Sequence, residues 1–320
     1  MPQSLVLNFI TQSAVPPKHL QGYSLQQLFF NLVDVVDPAL GHVLRRDKKN
    51  RSYSLSALQL SPVPTLRSSH QPRNCPPNRS ERKSNLHPLP LRNPSARLQY
   101  THSQTVAPHT KCWWRISFLD DELFDHLIFL WNQLRDEVFQ LGTGAVKVVQ
   151  IAAELTGVDW ASSCSYRDLY EEASAHEREI HLQFVTPTAF ESAGRITPLP
   201  TAEAIFQPLR KHWNRYSDLV FSPTLISDLV PIDFDIETRP VQSTLRNSFQ
   251  TLIGCTGQIS FRIGGEGGPL ITKQLNALAD FTRYCGIGLN TQLGMGVIKR
   301  INTLDLATKK PLTKLTKLTK

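Results

Sequence analysis

One order of elements occurs twice along this chain: strand, helix, strand, strand, helix, strand. In the first stretch, "SLVLNFI" (4–10) reads as a strand. Ser24 opens a helix with Gln27 as a capping-box partner, and Leu25, Leu28, Phe29, Leu32 and Val36 line one face. "SYSLSALQL" (52–60) alternates as a strand should, and "CWWRISFL" (112–119) reads as another. A helix over 121–135 carries Leu123, Leu127, Leu130, Trp131 and Leu134 on its apolar face, and "AVKVVQIAAEL" (145–155) supplies the last strand. The second stretch repeats the order. "EIHLQFVTPTAF" (179–190) is a strand, and Thr201 caps a helix to Tyr216. Two strands follow near 245–253 and 257–263, then a helix 270–285 opened by Pro269, then a strand near 294–301. Each unit has the βαββαβ order of the split βαβ, ferredoxin-like fold, so the pattern predicts an α+β chain of two such units in tandem.

Between the halves of the first unit lies a stretch of different character. Residues 63–111 are crowded with Pro, Ser, Asn, His and Arg and hold little that can be buried. Burial cannot offset the entropy of ordering such a stretch, which predicts a disordered basic insertion. The expected organisation is a first unit of 1–62 with 112–157, a second unit of 176–305 and a flexible basic tail over 306–320. The formal charge of +8 hints at a polyanionic partner. Its distribution tempers the hint: eight Lys/Arg face one Glu in 63–111, and five Lys face no acid in 309–320. The body between them is mildly acidic, so any nucleic-acid site must be a local basic patch.

No stretch reaches the roughly 18 apolar residues of a membrane span. The N-terminal residues lack the marks of a secretory signal, and the five cysteines are scattered without a CxxC pair. These features predict a cytoplasmic protein with reduced thiols and no zinc site.

"GIGLNTQLGMG" (286–296) packs Gly286, Gly288, Gly294 and Gly296 into eleven positions. A glycine loop that opens a helix holds phosphate, but this one follows a helix and precedes a strand. Its glycines either make a tight connection or let the backbone approach another surface closely. The run "GGEGG" (264–268) precedes a helix without the GK[ST] ending of a phosphate loop and reads as a link. Asp37 and Pro38 start a short helix in "DPALGHVLRRDKK" (37–49), which sets His42, Arg45 and Arg46 on one face. His42 is either a surface histidine on a basic helix or part of a site. His212 near Arg210, Lys211 and Arg215 marks a patch that binds phosphate or is merely solvated. Asp120 and Asp121 read as a helix cap rather than metal ligands. Trp113 and Trp114 point to opposite faces of their strand, which leaves one free to stack on a base, though packing is the favoured role. His181 falls in a strand, and the insertion histidines His70, His87, His102 and His109 are expected to lack fixed geometry.

"CWWRISFLDDELF", "REIHLQFVTPTAF", "PLPTAEAIFQPLRKHWNRYS" and "NALADFTRYCGIGLNTQLGMG" together resemble the Cas-six family, CRISPR-associated endoribonucleases of the RAMP superfamily that process precursor CRISPR RNA in antiviral defence. The resemblance runs from the first strand to Ile301 and skips the insertion and the tail. It implies two ferredoxin-like, RRM-like units, a CRISPR repeat RNA as partner with effector-complex subunits as further candidates, and cleavage at one position. It also implies no metal and no small-molecule cofactor. RNA contact then falls to Gly286, Gly288, Gly294, Gly296, His212 and Arg215. Many members have a catalytic histidine between the first helix and the second strand, and Arg45 stands there in this chain. Three readings follow: His42 serves from one turn away, Arg45 replaces the histidine with Arg46 beside it, or the protein binds RNA and cuts slowly or not at all. Arginine stays protonated and is a poor base, though it can stabilise a transition state. Tyr23 and the helix end around His212 are the next candidates.

Overall fold

The computed structural model describes residues 1–46, 52–60, 98–152, 160–245, 248–265 and 268–301. The first unit comprises β1 (Gln3–Thr11), α1 (Tyr23–Val36), α2 (Pro38–Arg46), β2 (Tyr53–Leu55), β3 (Lys111–Phe118), α3 (Asp121–Trp131), β4 (Val138–Leu141) and β5 (Gly144–Ala152). Its antiparallel sheet has the order β2-β3-β1-β5-β4, with the short β6 (Ser162–Ser163) also pairing β1. After α4 (Tyr166–Glu172), the second unit comprises β7 (Glu179–Thr188), the small hairpin β8 (Phe190–Ser192) and β9 (Arg195–Thr197), α5 (Ala202–Tyr216), β10 (Leu229–Leu245), β11 (Ser248–Ile263), α6 (Pro269–Cys285) and β12 (Ile298–Ile301). Its sheet has the order β10-β11-β7-β12. Each sheet places the first strand of its unit between the third and the last, as a βαββαβ chain closes.

The period-2 pattern of β1 explains how the layers stack. Leu5, Leu7 and Phe9 face α1 and α3 in one core with Trp114, Ile116 and Phe118 of β3. Ile180, Leu182 and Phe184 of β7 face α5 and α6 in the other. The opposite face of the first sheet turns to the second unit: Val6, Trp113, Trp160 and Val297 pack together with Val185. Both adjacent tryptophans are therefore buried, at 1% and 0% exposure, so packing and not base stacking is the role of each. Ala57, Tyr100, Ala189, Val241, Leu252 and Met295 form a second apolar cluster across the units. At roughly 25 cal/mol per Å² of apolar surface buried, such clusters fix how the units sit.

Several local expectations change. α1 begins at Tyr23 with Gly22 as N-cap at φ 64°, and the Ser24 hydroxyl bonds His19 Nδ1 at 2.9 Å instead of capping. The two strands expected near 245–253 and 257–263 are one strand, β11. Its bulge at Gly257 (φ 120°) reads as a break in sequence. Its partner β10 carries Pro231 and Pro240, which hide a strand pattern; they are tolerated because β10 is an edge. The caps at Asp120 and Thr201 form as expected.

Most of the expected insertion, 63–97, and the tail lie outside the described residues. The last part of the insertion is packed. Leu98, Tyr100 and Val106 are buried, Gln59 and Gln99 exchange hydrogen bonds, and His102 bonds Leu58 O at 2.7 Å. Long-range partners order a stretch whose composition reads as loop. Cys112, Cys255 and Cys285 are buried free thiols, as expected of them.

Candidate functional site

Helix α2 begins as expected. Asp37 Oδ1 accepts from Leu40 N at 2.9 Å, and His126 of α3 bonds its other oxygen at 2.9 Å. These two contacts, the backbone amide first, hold the Asp37 carboxyl below its ordinary pKa. His42 and Arg46, a helical turn apart, are both exposed. Arg45 is not available in the same way. Its Nη1 donates to Asp34 Oδ1 at 2.7 Å, its Nη2 to Oδ2, and its guanidinium stacks over the Phe30 ring at 4.5 Å. The Asp34 carboxylate raises the Arg45 pKa further, so Arg45 cannot take a proton.

Gly41 makes room for this pair. A Cβ there would lie 1.9 Å from Asp34 Oδ1, so any larger residue would push the Asp34 carboxylate out of its present place in the pair. No local pattern reveals the pair, because its partners are eleven residues apart, across the break between two helices. The break at Asp37-Pro38 and the glycine one turn later are its trace in the sequence.

The glycine loop returns to α1 from the other side. Gly22 N, at the head of α1, donates to Leu293 O at 3.2 Å. All four loop glycines have positive φ. Their missing side chains face protein: Gly286 faces Thr291, Gly288 the carbonyl of Ala189 and Gly296 the carbonyl of Ile287. Gly294 lies against the backbone of Ser56 and Ala57, where a Cβ would sit 3.1 Å from Ala57 N. The loop's close approach is thus to its own unit and to the first unit. Gly286, Gly288, Leu289, Asn290 and Thr291 keep partial exposure on its outer side. Tyr23, 54% exposed, stands next to Gly22 at this junction.

His212 and Arg215 sit on α5, which packs on α6 and the second sheet, whereas α2 packs on α1. Arg215 is exposed and His212 half-buried; burial, then the Arg215 charge, lowers the His212 pKa. Arg210 is tied to Gln207 and to Phe221 O. His181 is buried and bonds Ser260 Oγ at 2.7 Å, a place in the sheet rather than in a cleft. Among the described residues no cluster of three His, Cys, Asp or Glu could hold a metal ion, and no helix is long and apolar enough to cross a membrane.

Known families account for both halves. A family model described as the CRISPR Cas6 N-terminal domain matches residues 1–171, and one described as CRISPR-associated endoribonuclease Cas6 matches residues 182–298. The chain belongs to the Cas6 family. A Cas6 endoribonuclease of Streptococcus thermophilus is 24% identical over 216 residues, covering 63% of this chain and 84% of that protein. One of Mycobacterium tuberculosis is 24% identical over 217 residues, covering 67% of this chain and 65% of its own length. The fold matches a solved Cas6 product complex at TM-score 0.67 and 20% identity, over 94% of this chain and all of the other. A Thermus thermophilus Cas6 superposes at TM-score 0.63 with 21% identity, over 94% and 98% of the two chains. The tandem ferredoxin-like architecture is therefore that of Cas6 proteins.

Proposed function

We propose that this chain binds the repeat of precursor CRISPR RNA and cuts it once, without metal, by attack of a ribose 2′-hydroxyl that leaves a 2′,3′-cyclic phosphate. The match of Cas6 models to both halves of the chain carries this reading. Such a reaction needs an acceptor for the 2′-hydroxyl proton, a donor for the departing 5′ oxygen and cations around the pentavalent phosphate. His42 is assigned the proton transfer, since an imidazole both accepts and donates near neutral pH. Arg46, exposed one turn on, is assigned to the phosphate, with Arg45 as a second cation held by Asp34. RNA lies along the exposed side of the glycine loop, next to Tyr23, and extends to His212 and Arg215. Subunits of a CRISPR effector complex are further partners in this reading.

The second reading is a repeat-binding subunit that cuts slowly or not at all. The Asp34–Arg45 pair favours it, because the residue standing for the family's histidine is a charge-paired arginine that stays protonated and cannot act as a base. Incubating the full chain with the repeat RNA of its own CRISPR array separates the two. One cut at a fixed position supports the enzyme; a tight complex with intact RNA supports the binder.

Asp34→Ala tests whether Arg45 faces RNA. The pair is about one-third exposed on each side, so its loss should cost no more than about 1 kcal/mol of stability. The freed guanidinium should tighten RNA binding at low salt and steepen the slope of log affinity against log salt by roughly 0.7 to 0.9. An unchanged slope in filter binding places Arg45 away from the RNA.

A further inference from the structure

Arg115 lies in the middle of β3, opposite Val6 of β1, on the sheet face turned to the second unit. It is 4% exposed, and no carboxylate among the described residues pairs with it. Withdrawing a guanidinium from water without a counter-ion is costly, so something must take the place of the anion. Its donors show what does. Nε donates to Trp160 O at 3.2 Å, while Nη2 donates to Ser4 Oγ at 2.7 Å and to the carbonyl of Arg283. The Trp160 ring lies 5.7 Å from the guanidinium.

Arg283 belongs to the last turn of α6, where aligned peptide dipoles gather about half a negative charge. The next carbonyl, Tyr284 O, accepts from Ser54 Oγ of β2 at 3.3 Å. Two side chains of the first sheet thus cap adjacent carbonyls of a helix in the other unit. Gly286 follows at once with φ 67°, so these caps set the direction in which the glycine loop leaves α6. The far end of the loop is fixed to the first unit as well, through Gly22 N to Leu293 O and Gly294 on Ser56 and Ala57.

We infer that Arg115 is a positioning residue for RNA binding: it anchors the start of the glycine-rich loop on the first sheet and so holds the loop's exposed side in place. The RNA half of this inference rests on the proposed function; the anchoring half does not. The planar fork suits three acceptors in different directions, which the single ammonium of lysine meets only in part. Burial, then the charge of Arg283, lowers the Arg115 pKa to about 9, which leaves it charged at neutral pH.

The test uses the full chain with Arg115→Met, Arg115→Lys and Ser54→Ala, well below the Tm of each variant. Hydrogen exchange at amides 286–296 should quicken by roughly tenfold or more in Arg115→Met, with smaller changes in β1 and β3. Arg115→Lys should recover only part of the protection. Ser54→Ala, a milder change, should show the same loosening in smaller measure, and it serves if Arg115→Met does not fold. The Kd for the repeat RNA should rise roughly tenfold in Arg115→Met, a loss of about 1.4 kcal/mol, with the cleavage rate at saturating RNA within about threefold of wild type. Unchanged exchange in the loop overturns the anchor. Faster exchange with an unchanged Kd overturns the positioning role and leaves a purely structural one. Wild-type protein that binds no repeat RNA overturns the proposed function, and the exchange data still decide the anchor.

Discussion

His42→Ala is expected to slow single-turnover cleavage of the repeat RNA by roughly 100- to 10,000-fold, the usual contribution of a general acid or base. Its Kd should stay within about threefold, because a proton-transfer group acts mainly in the transition state. The expectation rests on position: His42 is exposed on α2, on the same short helix as Arg46, and α2 is pinned to α1 by the Asp34–Arg45 pair over Gly41. Arg45→Ala should have a smaller effect, since Asp34 already occupies its two terminal nitrogens. Wild-type cleavage by His42→Ala moves the proton-transfer role away from α2, and Tyr23 at the head of α1 becomes the first residue to replace.

Gly296→Ala is expected to be strongly destabilising. Gly296 has φ 73°, and an added Cβ would lie 2.0 Å from the backbone carbonyl of Ile287, whose amide bonds Gly296 O at 2.8 Å. Backbone cannot move aside as a side chain can, so the two arms of the loop must part. Gly194→Ala is the control. Its φ is 74° and nothing lies within 4 Å of the new Cβ, so it carries only the cost of positive φ, roughly 1–2 kcal/mol. Gly296→Ala adds the overlap and should lose at least about 3 kcal/mol, among the larger effects of a single substitution. Melting both variants under one protocol tests this. Equal midpoints mean that glycine serves at 296 for its backbone conformation alone. If the loop also contacts RNA, Gly296→Ala weakens binding at temperatures where it stays folded, and Gly194→Ala does not.

The fold was legible wherever periodicity reports burial on one side. β1, β3 and β7 have one face under helices, and α1, α3, α5 and α6 carry apolar stripes. What escaped was set by long-range contact. Trp113 looks half-exposed from strand alternation because the second unit that covers it is far along the chain. Leu98, Tyr100 and Val106 are sparse in a Pro- and Ser-rich stretch, yet each reaches a buried partner. β10 was hidden by Pro231 and Pro240, whose placement on an edge no local pattern reveals. At the candidate site, the helix start at Asp37-Pro38 and the residues on α2 could be read directly. The fate of Arg45 could not, since Asp34 and Gly41 acquire their meaning only once α2 folds back on α1. The loop glycines suited either a tight connection or a close approach to another surface, and only the family resemblance pointed to RNA. The structure accounts for all four by contacts within the protein, and their part in RNA binding belongs to the proposal.

The central claim is that the RNA supplies its own nucleophile and the protein supplies groups around it without a metal. Single-turnover cleavage of the repeat RNA in excess EDTA, run with an all-ribose substrate and with one carrying 2′-deoxy at the scissile nucleotide, tests it most directly. The account predicts undiminished cutting of the ribose substrate, a 2′,3′-cyclic phosphate on the upstream product, and no cutting of the deoxy substrate despite nearly unchanged binding. Cleavage that stops in EDTA and returns with magnesium, or that proceeds on the deoxy substrate, contradicts it.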